Sequence, residues 1–345
     1  MDPNFDLSSI VDPLLAWYDT AKRDLPWRGA PTPYEVWISE IMLQQTRVEA
    51  VKDYYTRWIK ALSTVQALND APLDVVRKLW EGLGYYTRMR NLKAAAKLLV
   101  EEYGGELPKD PALLARLPGI GEYTAGAICS IAFGLPTPAV DGNVLRVLAR
   151  LRADDTDILS ASARQSATAS LSAVFPKERA SDFTQAMFEL GALLCLPKEP
   201  RCEGCPLRQL CLARAFGKQK ELPIRIVKTK RKIEELTVLL LTDGERYELT
   251  LPKQNGLLAG MYGLPAREGK LAPDEVDKKL SDEGYSVKSI TPLGECKHVF
   301  SHVTWQMVGY KVEVETLHGF AATAQEVATL YALPTAYGGY KPWIV

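Results

Sequence analysis

Four of the six cysteines fall in one short segment. Cys195, Cys202, Cys205 and Cys211 are spaced C-x6-C-x2-C-x5-C. Four thiolates in so short a loop can close around a metal centre, either a structural zinc ion or a [4Fe–4S] cluster. Ligand count does not separate the two. Zinc sites usually pair two C-x2-C units, and only one is present here, which favours iron–sulfur. A disulfide is disfavoured where thiols stay reduced. Lys198, Arg201 and Arg208 decorate the loop and give it a means of touching phosphate. Of the remaining cysteines, Cys129 sits in an apolar helical run, Ala125 to Phe133, and reads as a small core residue. Cys296 has no reading.

Two carboxylates stand out beside the cysteines. Glu40 lies in Val36-Trp-Ile-Ser-Glu-Ile-Met-Leu-Gln-Gln-Thr46, where Val36, Trp37, Glu40, Leu43 and Gln44 share one helical face. A carboxyl flanked by such side chains is desolvated, which raises its pKa and suits a general acid. The second is Asp141, in Val140-Asp-Gly-Asn-Val-Leu-Arg146, about twenty residues after the turn Leu117-Pro-Gly-Ile-Gly121. Gly119 and Gly121 permit a tight turn and a close backbone approach to a ligand. The amides that follow open a helix, where N–H groups and the helix dipole favour phosphate. An isolated Pro-Gly-Ile-Gly would be an ordinary helix–turn–helix corner.

These residues need a scaffold, and the chain supplies two patterns. From Asp12 to about Arg214 the period is helical, in segments such as Tyr34–Gln45, Arg47–Ala61, Leu73–Glu81, Asn91–Glu102, Tyr123–Phe133 and Val144–Leu151. After Glu235 strands take over. Leu236–Leu241 is a β-rich apolar run, Val299–Val314 alternates in period two, and a helix is expected at Pro273–Glu283. At 345 residues two domains are expected, 1–213 and 235–345, joined by a basic linker at 214–234. From Arg214 to Lys232 eight basic residues face Glu221 alone, a local charge of +7 in a chain of formal net charge zero. A second basic patch, Arg88, Arg90, Lys93 and Lys97, follows Gly82-Leu83-Gly84. The overall charge thus decides nothing about nucleic acid, because charge location matters more. No run of about 18 apolar residues appears, so no membrane span is expected. The acidic N-terminus lacks a basic n-region, so a cytoplasmic, nucleoid-associated location is expected.

Taken together, the cysteine loop, the hairpin with its downstream Asp141, and "SEIMLQQTRV" around Glu40 resemble the helix-hairpin-helix, iron–sulfur DNA glycosylases, and in particular the MutY-type adenine glycosylases. The cysteine spacing matches the cluster loop shared by that group and the endonuclease III glycosylases, so the resemblance implies a [4Fe–4S] cluster held by the loop at 195–211. The bifunctional relatives place a Schiff-base lysine two residues after the last hairpin glycine. This chain has Tyr123 there, and a phenol forms no imine, so the resemblance implies a monofunctional enzyme. Glu40 would protonate adenine, Asp141 would stabilise or trap the sugar cation, and Tyr123 and Asn143 would orient the carboxylates and a water. "LPWR", Leu25 to Arg28, resembles the adenine-pocket segment and brings in Trp27 and Arg28. Leu43, Gln45 and Thr46 would contact DNA, with Gln45 as a wedge. "GLGYYTRMRNL", Gly82 to Leu92, resembles a second hairpin-like segment in which Tyr85 would wedge beside an oxidised guanine and Arg88 would meet DNA.

The implied fold is a mainly α helix-hairpin-helix glycosylase domain plus a smaller α/β Nudix-like C-terminal domain. Phe300-Ser301-His302 resembles that domain's recognition loop, so Ser301 and His302 would read 8-oxoguanine. "LLAGMYGLP", Leu257 to Pro265, departs from the family's usual tryptophan-containing version. The expected partner is double-stranded DNA with an adenine:8-oxoguanine mispair, met by a monomer. Three rival classes fit less well. A glycosylase–lyase needs the hairpin lysine, and a non-catalytic iron–sulfur DNA-binding protein would lose a carboxylate that is present here. A Nudix hydrolase needs an acidic metal helix that Glu268 to Gly284 does not supply.

Overall fold

The structure is a computed structural model, and it describes residues 5–226 and 231–345. By its contacts the chain forms two compact units. The first comprises Met1–Asn69 and Ala94–Val227, the second Asp70–Lys93 and Lys228–Val345. The helical segment 70–93 therefore belongs with the C-terminal residues, which a division at 213 and 235 does not anticipate.

The helices of the first 226 residues, in order, are α1 (Val11–Ala21), α2 (Pro33–Leu43), α3 (Val48–Ala61), α4 (Val65–Asp70), α5 (Leu73–Trp80), α6 (Thr87–Tyr103), α7 (Pro111–Leu114), α8 (Glu122–Ala127), α9 (Gly142–Leu151), α10 (Ala161–Val174), α11 (Ala180–Leu193) and α12 (Leu212–Ala215). Local sequence fixes the starts that matter. α2 opens on a capping box: Thr32 Oγ1 accepts from Glu35 N at 3.2 Å, and the Glu35 carboxylate accepts from Thr32 N at 2.7 Å, with Pro33 at the first helical position. α8 runs into a π turn at Ile128–Ala132. Gly126 lets this helix approach the 138–139 backbone, since a Cβ there would lie 2.1 Å from the Pro138 carbonyl oxygen. α11 packs against both α1 and α9 around Leu14, Tyr18, Val144, Leu148, Phe183 and Met187, and Cys205 and Cys211 lie against the same core.

The second unit is built on a mixed six-stranded sheet: β1 (Lys232–Thr242), β2 (Arg246–Glu248), β3 (Ala266–Glu268), β4 (Val287–Val299), β5 (Val303–Val314) and β6 (Ala321–Thr323). The order is β4-β5-β1-β2-β6, with β3 also paired to β1. β1 and β5 run parallel, and the other pairings are antiparallel. Side chains of β1 alternate between faces. Val238 and Leu240 join a core with Met307, Tyr337 and Val327 of α14 (Ala324–Thr329). Leu239 and Leu241 join the opposite one with Val276 and Leu280 of α13 (Pro273–Asp282).

Two expectations are corrected. The alternating stretch 299–314 is not one strand: β4 ends at Val299, β5 starts at Val303, and the intervening turn carries Ser301 and His302. The basic stretch is not a linker from residue 214. Leu222 is buried, its carbonyl accepts from Arg150 Nε at 2.8 Å, and Ile224 O accepts from Ile158 N at 3.1 Å. Arg150 is itself buried, and a buried guanidinium needs such acceptors. The strand begins at Lys232, and Lys228 and Lys230 lie outside the described residues. Among the described residues no helix is long and apolar enough to cross a membrane.

Candidate active site

Glu40 and Asp141 line one cavity of about 990 Å³ in the first unit, together with Trp27, Arg28, Gln45 and Tyr123. Glu40 is only 5% exposed. Burial pushes the pKa of its carboxyl up to about 7, the neighbouring Asp141 charge pushes the same way, and the Tyr123 hydroxyl and Arg28 pull it down. Tyr123 donates its hydroxyl hydrogen to Glu40 Oε2. Burial, followed by the charges of Glu40 and Asp141, holds the phenol well above its usual range, so it stays a donor.

Asp141 is the N-cap of α9. Its Oδ1 accepts from Val144 N at 2.7 Å and its Oδ2 from Asn143 Nδ2 at 2.8 Å. Burial raises this carboxyl from its ordinary value, while those donors stabilise the charged form. Asn143 is gripped in turn: its Oδ1 accepts from Arg146 Nη2 at 2.9 Å, and Arg146 also donates to Gly191 O at 2.9 Å and Cys195 O at 2.8 Å. A continuous hydrogen-bonded path thus runs from Asp141 to the cysteine loop. Gly191 is a requirement of this packing, because a Cβ there would lie 2.6 Å from the Cβ of Asn143.

Several residues of the site escape a reading of the sequence. Glu189 on α11 is 1% exposed and accepts from Arg23 Nη2, and from Arg28 Nη2 at 2.7 Å. A single acid inside the apolar run Met187-Phe-Glu-Leu190 is the one signal of it. Gln185, Phe188 and Arg164 also line the cavity. Trp27 is fixed edge-on against Tyr55, with ring centroids 5.4 Å apart. Arg28 gives Nη1 to Arg23 O at 2.9 Å, and its buried Nε has no partner among the described residues.

The expected wedge residues share a backbone property. Gln45 has φ 59° and Tyr85 φ 49°, in the left-handed region that non-glycine residues rarely occupy. Such strain costs on the order of 1–3 kcal/mol and collects at functional sites. Gln45, with Leu43 and Thr46, lines the Glu40 cavity. Tyr85 is half exposed, and it lines a second cavity, about 550 Å³, that lies within the second unit and also takes in Ser301 and His302. Those two contact each other, Ser301 Oγ to His302 Nδ1 at 3.2 Å. Arg88, expected at DNA, is buried here and clamps its own turn. Its Nη2 donates to Leu83 O at 3.2 Å and Gly84 O at 3.1 Å, and its guanidinium lies over the rings of Trp80 and Tyr85. A turn that exposes carbonyls inward needs such a donor, so its charge is not offered to solvent. In the hairpin, Gly119 has φ +77°, whereas Gly121 has φ −94° with open space where a Cβ would point.

The four cysteines surround one cavity of about 30 Å³ with Arg150 and Arg214. Arg150 donates to Cys195 Sγ at 3.3 Å, Leu196 O at 2.7 Å and Pro197 O at 2.8 Å. Among the described residues, no three potential ligands converge closely enough to hold a single metal ion.

The profile of the HhH-GPD superfamily base excision DNA repair protein matches residues 38–172. Human adenine DNA glycosylase is 36% identical over 365 residues, a match spanning 88% of this chain and 67% of the relative. The adenine DNA glycosylase of Buchnera aphidicola (subspecies Baizongia pistaciae) is 35% identical over 295 residues, spanning 84% and 82%. A thermostable thymine-DNA glycosylase superimposes with a TM-score of 0.54 at 27% identity, over 60% of this chain and 96% of that one. Endonuclease III trapped covalently on DNA superimposes with a TM-score of 0.50 at 29% identity, over 61% and 93%.

Proposed function

The chain belongs to the adenine DNA glycosylases, DNA-binding enzymes of base excision repair, and from that premise we propose that it removes adenine paired with 8-oxoguanine, and with guanine. The observation that carries the mechanism is Glu40: a buried carboxyl whose pKa is pushed up to about 7, which receives a phenol hydrogen bond and shares its cavity with Asp141. Adenine is chemically normal and must be turned out of the stack to be reached. Extrusion costs a few kcal/mol, offset by backbone contacts and by the wedges Gln45 and Tyr85. Trp27 and Arg28 line the base, and the orphan Nε of Arg28 is a buried donor left for it.

Adenine leaves poorly as an anion. Protonation at N7 by Glu40 makes it a neutral leaving group, the general-acid role. Cleavage leaves an oxocarbenium-like sugar on which Asp141, its charge held by Val144 N and Asn143, acts as stabiliser or covalent trap. Glu40, now a base, takes a proton from the attacking water. Tyr123 stands where a lyase lysine would, which supports hydrolysis without strand cleavage. In the second unit Ser301 and His302 read the oxidised base beside Tyr85, on a Nudix-like sheet that recognises and does not hydrolyse.

Cys195, Cys202, Cys205 and Cys211 hold a [4Fe–4S] cluster that supplies loop structure and positions DNA. The donor set supports this reading, because four thiols ring a single cavity and Arg150 already donates to Cys195 Sγ, where it would offset thiolate charge. The enzyme acts as a monomer at the nucleoid. The test is to incubate the protein with duplexes bearing adenine opposite 8-oxoguanine, guanine or thymine. Free adenine from the first two, and none from Glu40→Gln, is expected. Release opposite thymine at an equal rate would overturn the mispair assignment.

A further inference from the structure

The cavity shared by Tyr85, Ser301 and His302 has four pieces of wall: Gly82–Thr87, Gly256–Leu258, His298–His302 and Pro334–Ala336. The third is the hairpin turn of β4 and β5, closed by Phe300 N donating to Val303 O at 2.8 Å. The other three are held by charged side chains of the segment 70–93. Glu81 Oε1 accepts from Leu333 N at 3.0 Å, next to the Pro334 wall, and from Lys341 Nζ at 2.7 Å. Arg77 Nε donates to Gly260 O at 2.6 Å, and Arg90 Nη1 to Gln254 O at 2.8 Å, so the Gly256–Leu258 wall is fixed at both ends. Gly260 has φ +84°, and a Cβ there would lie 2.6 Å from Arg90 Cδ, which leaves this loop one way to sit. Thr335 N completes the set, donating to the Tyr86 hydroxyl at 3.4 Å.

We infer that Glu81 and Lys341 are positioning residues for discrimination of the base opposite adenine: they hold the Tyr85 turn against the Pro334–Ala336 wall of the cavity that also takes in Ser301 and His302. The inference rests on the lesion-reading role proposed for that cavity. Reading one extra hydrogen bond on a purine requires groups placed within about 0.5 Å. Tyr85 alone cannot supply that precision, being half exposed on a strained backbone four residues after Glu81. Both proposed residues lie outside the Glu40 cavity, so the chemical step is not theirs.

The experiment measures single-turnover adenine release opposite 8-oxoguanine and opposite guanine, in the same salt, for Lys341→Met, Glu81→Gln and Lys341→Arg. Lys341→Met and Glu81→Gln should lose about 5- to 10-fold of the preference for 8-oxoguanine, the scale of one coupled contact, while release opposite guanine stays unchanged. Lys341→Arg, which keeps the charge, should retain the preference. An equal loss opposite both bases would mean a merely structural role and would overturn the inference. So would full preference in both variants while Ser301→Ala with His302→Ala loses it. If that double variant also keeps full preference, the lesion-reading assignment of the cavity falls, and the inference with it. Lys341 is partly exposed, so its variant is expected to fold even if Glu81→Gln does not.

Discussion

The Tyr123 hydroxyl donates to Oε2 of Glu40, a carboxyl whose pKa burial already pushes up to about 7. The two influences oppose each other. Burial disfavours the carboxylate, and the phenol hydrogen bond favours it. A general acid must start protonated, so adenine release by the free enzyme should decline as pH rises through about 7. Tyr123→Phe deletes the influence that lowers Glu40, so the alkaline limb should move to higher pH while the plateau drops. A pH–rate profile of single-turnover release checks both. A limb that moves down, or stays fixed, would remove Tyr123 from the proton's path.

Glu40→Gln should abolish release yet keep mispair binding, since the amide retains shape but has no proton to give. It should also stabilise the fold in a pH-dependent way. A carboxyl whose folded value is raised stabilises the protein fully below its unfolded value near 4.5, and that contribution is lost as pH climbs through about 7. The glutamine variant escapes that loss. Its gain over the parent should be small at pH 5 and approach about 3 kcal/mol at pH 8, at roughly 1.4 kcal/mol for each pH unit separating the folded and unfolded values. Thermal melts of both proteins at the two pH values test this, and equal differences at both would contradict the burial of a titrating Glu40.

The site was legible to the extent that its chemistry sits in short motifs. Glu40 with its apolar neighbours, the capping aspartate of Asp141-Gly-Asn143, and the cysteine spacing each announce a local geometry. What stayed hidden was long-range. Glu189 reaches Arg23 and Arg28 from another helix, and Gly191 matters only because α11 closes on Asn143. Charge density gave no sign that Arg88 lies buried beneath its turn, donating to the Leu83 and Gly84 carbonyls. The assignment of segment 70–93 to the second unit could not be read either, since its helical periodicity says nothing of what covers it. Truncation near Lys232 would therefore strip that segment of its partners, and point substitutions are the sounder probe of lesion reading.

Purified protein should carry about four irons per chain and absorb broadly in the blue, as a [4Fe–4S] cluster requires. Cys202→Ser should give poorly soluble protein, because the loop folds around its metal. Metal analysis returning one zinc and no iron would refute the cluster.

Tyr85→Gly separates strain from function. The native φ of 49° suits glycine, and the half-exposed ring gives up little buried area. Stability in a thermal melt should therefore hold or rise slightly, by the order of 1 kcal/mol at most. Affinity for the mispair should fall by about 5- to 150-fold, the worth of roughly 1–3 kcal/mol for one stacked base. Unchanged affinity in a titration at fixed salt would show that the tyrosine does not wedge.

Gly191→Ala tests how tightly the second carboxylate must be held. Gly191 lies in the last turn of α11, where alanine is the better helix former by up to about 1 kcal/mol, so propensity alone predicts no loss of stability. Packing predicts otherwise for activity. The added Cβ would come within 2.6 Å of Asn143 Cβ, and the shift passes to Asp141 through the 2.8 Å bond from Asn143 Nδ2. The same displacement disturbs Arg146, which donates to Gly191 O and to Asn143 Oδ1. A misplacement of about 1 Å at a reacting group can cost on the order of a hundredfold in rate. Single-turnover release should drop by about 10- to 100-fold, while melting temperature and mispair affinity stay near those of the parent. Asn143→Ala should show a similar loss, and the double variant little more than either alone, because both act on one carboxylate. Full activity in Gly191→Ala would mean that Asp141 keeps its place without this contact.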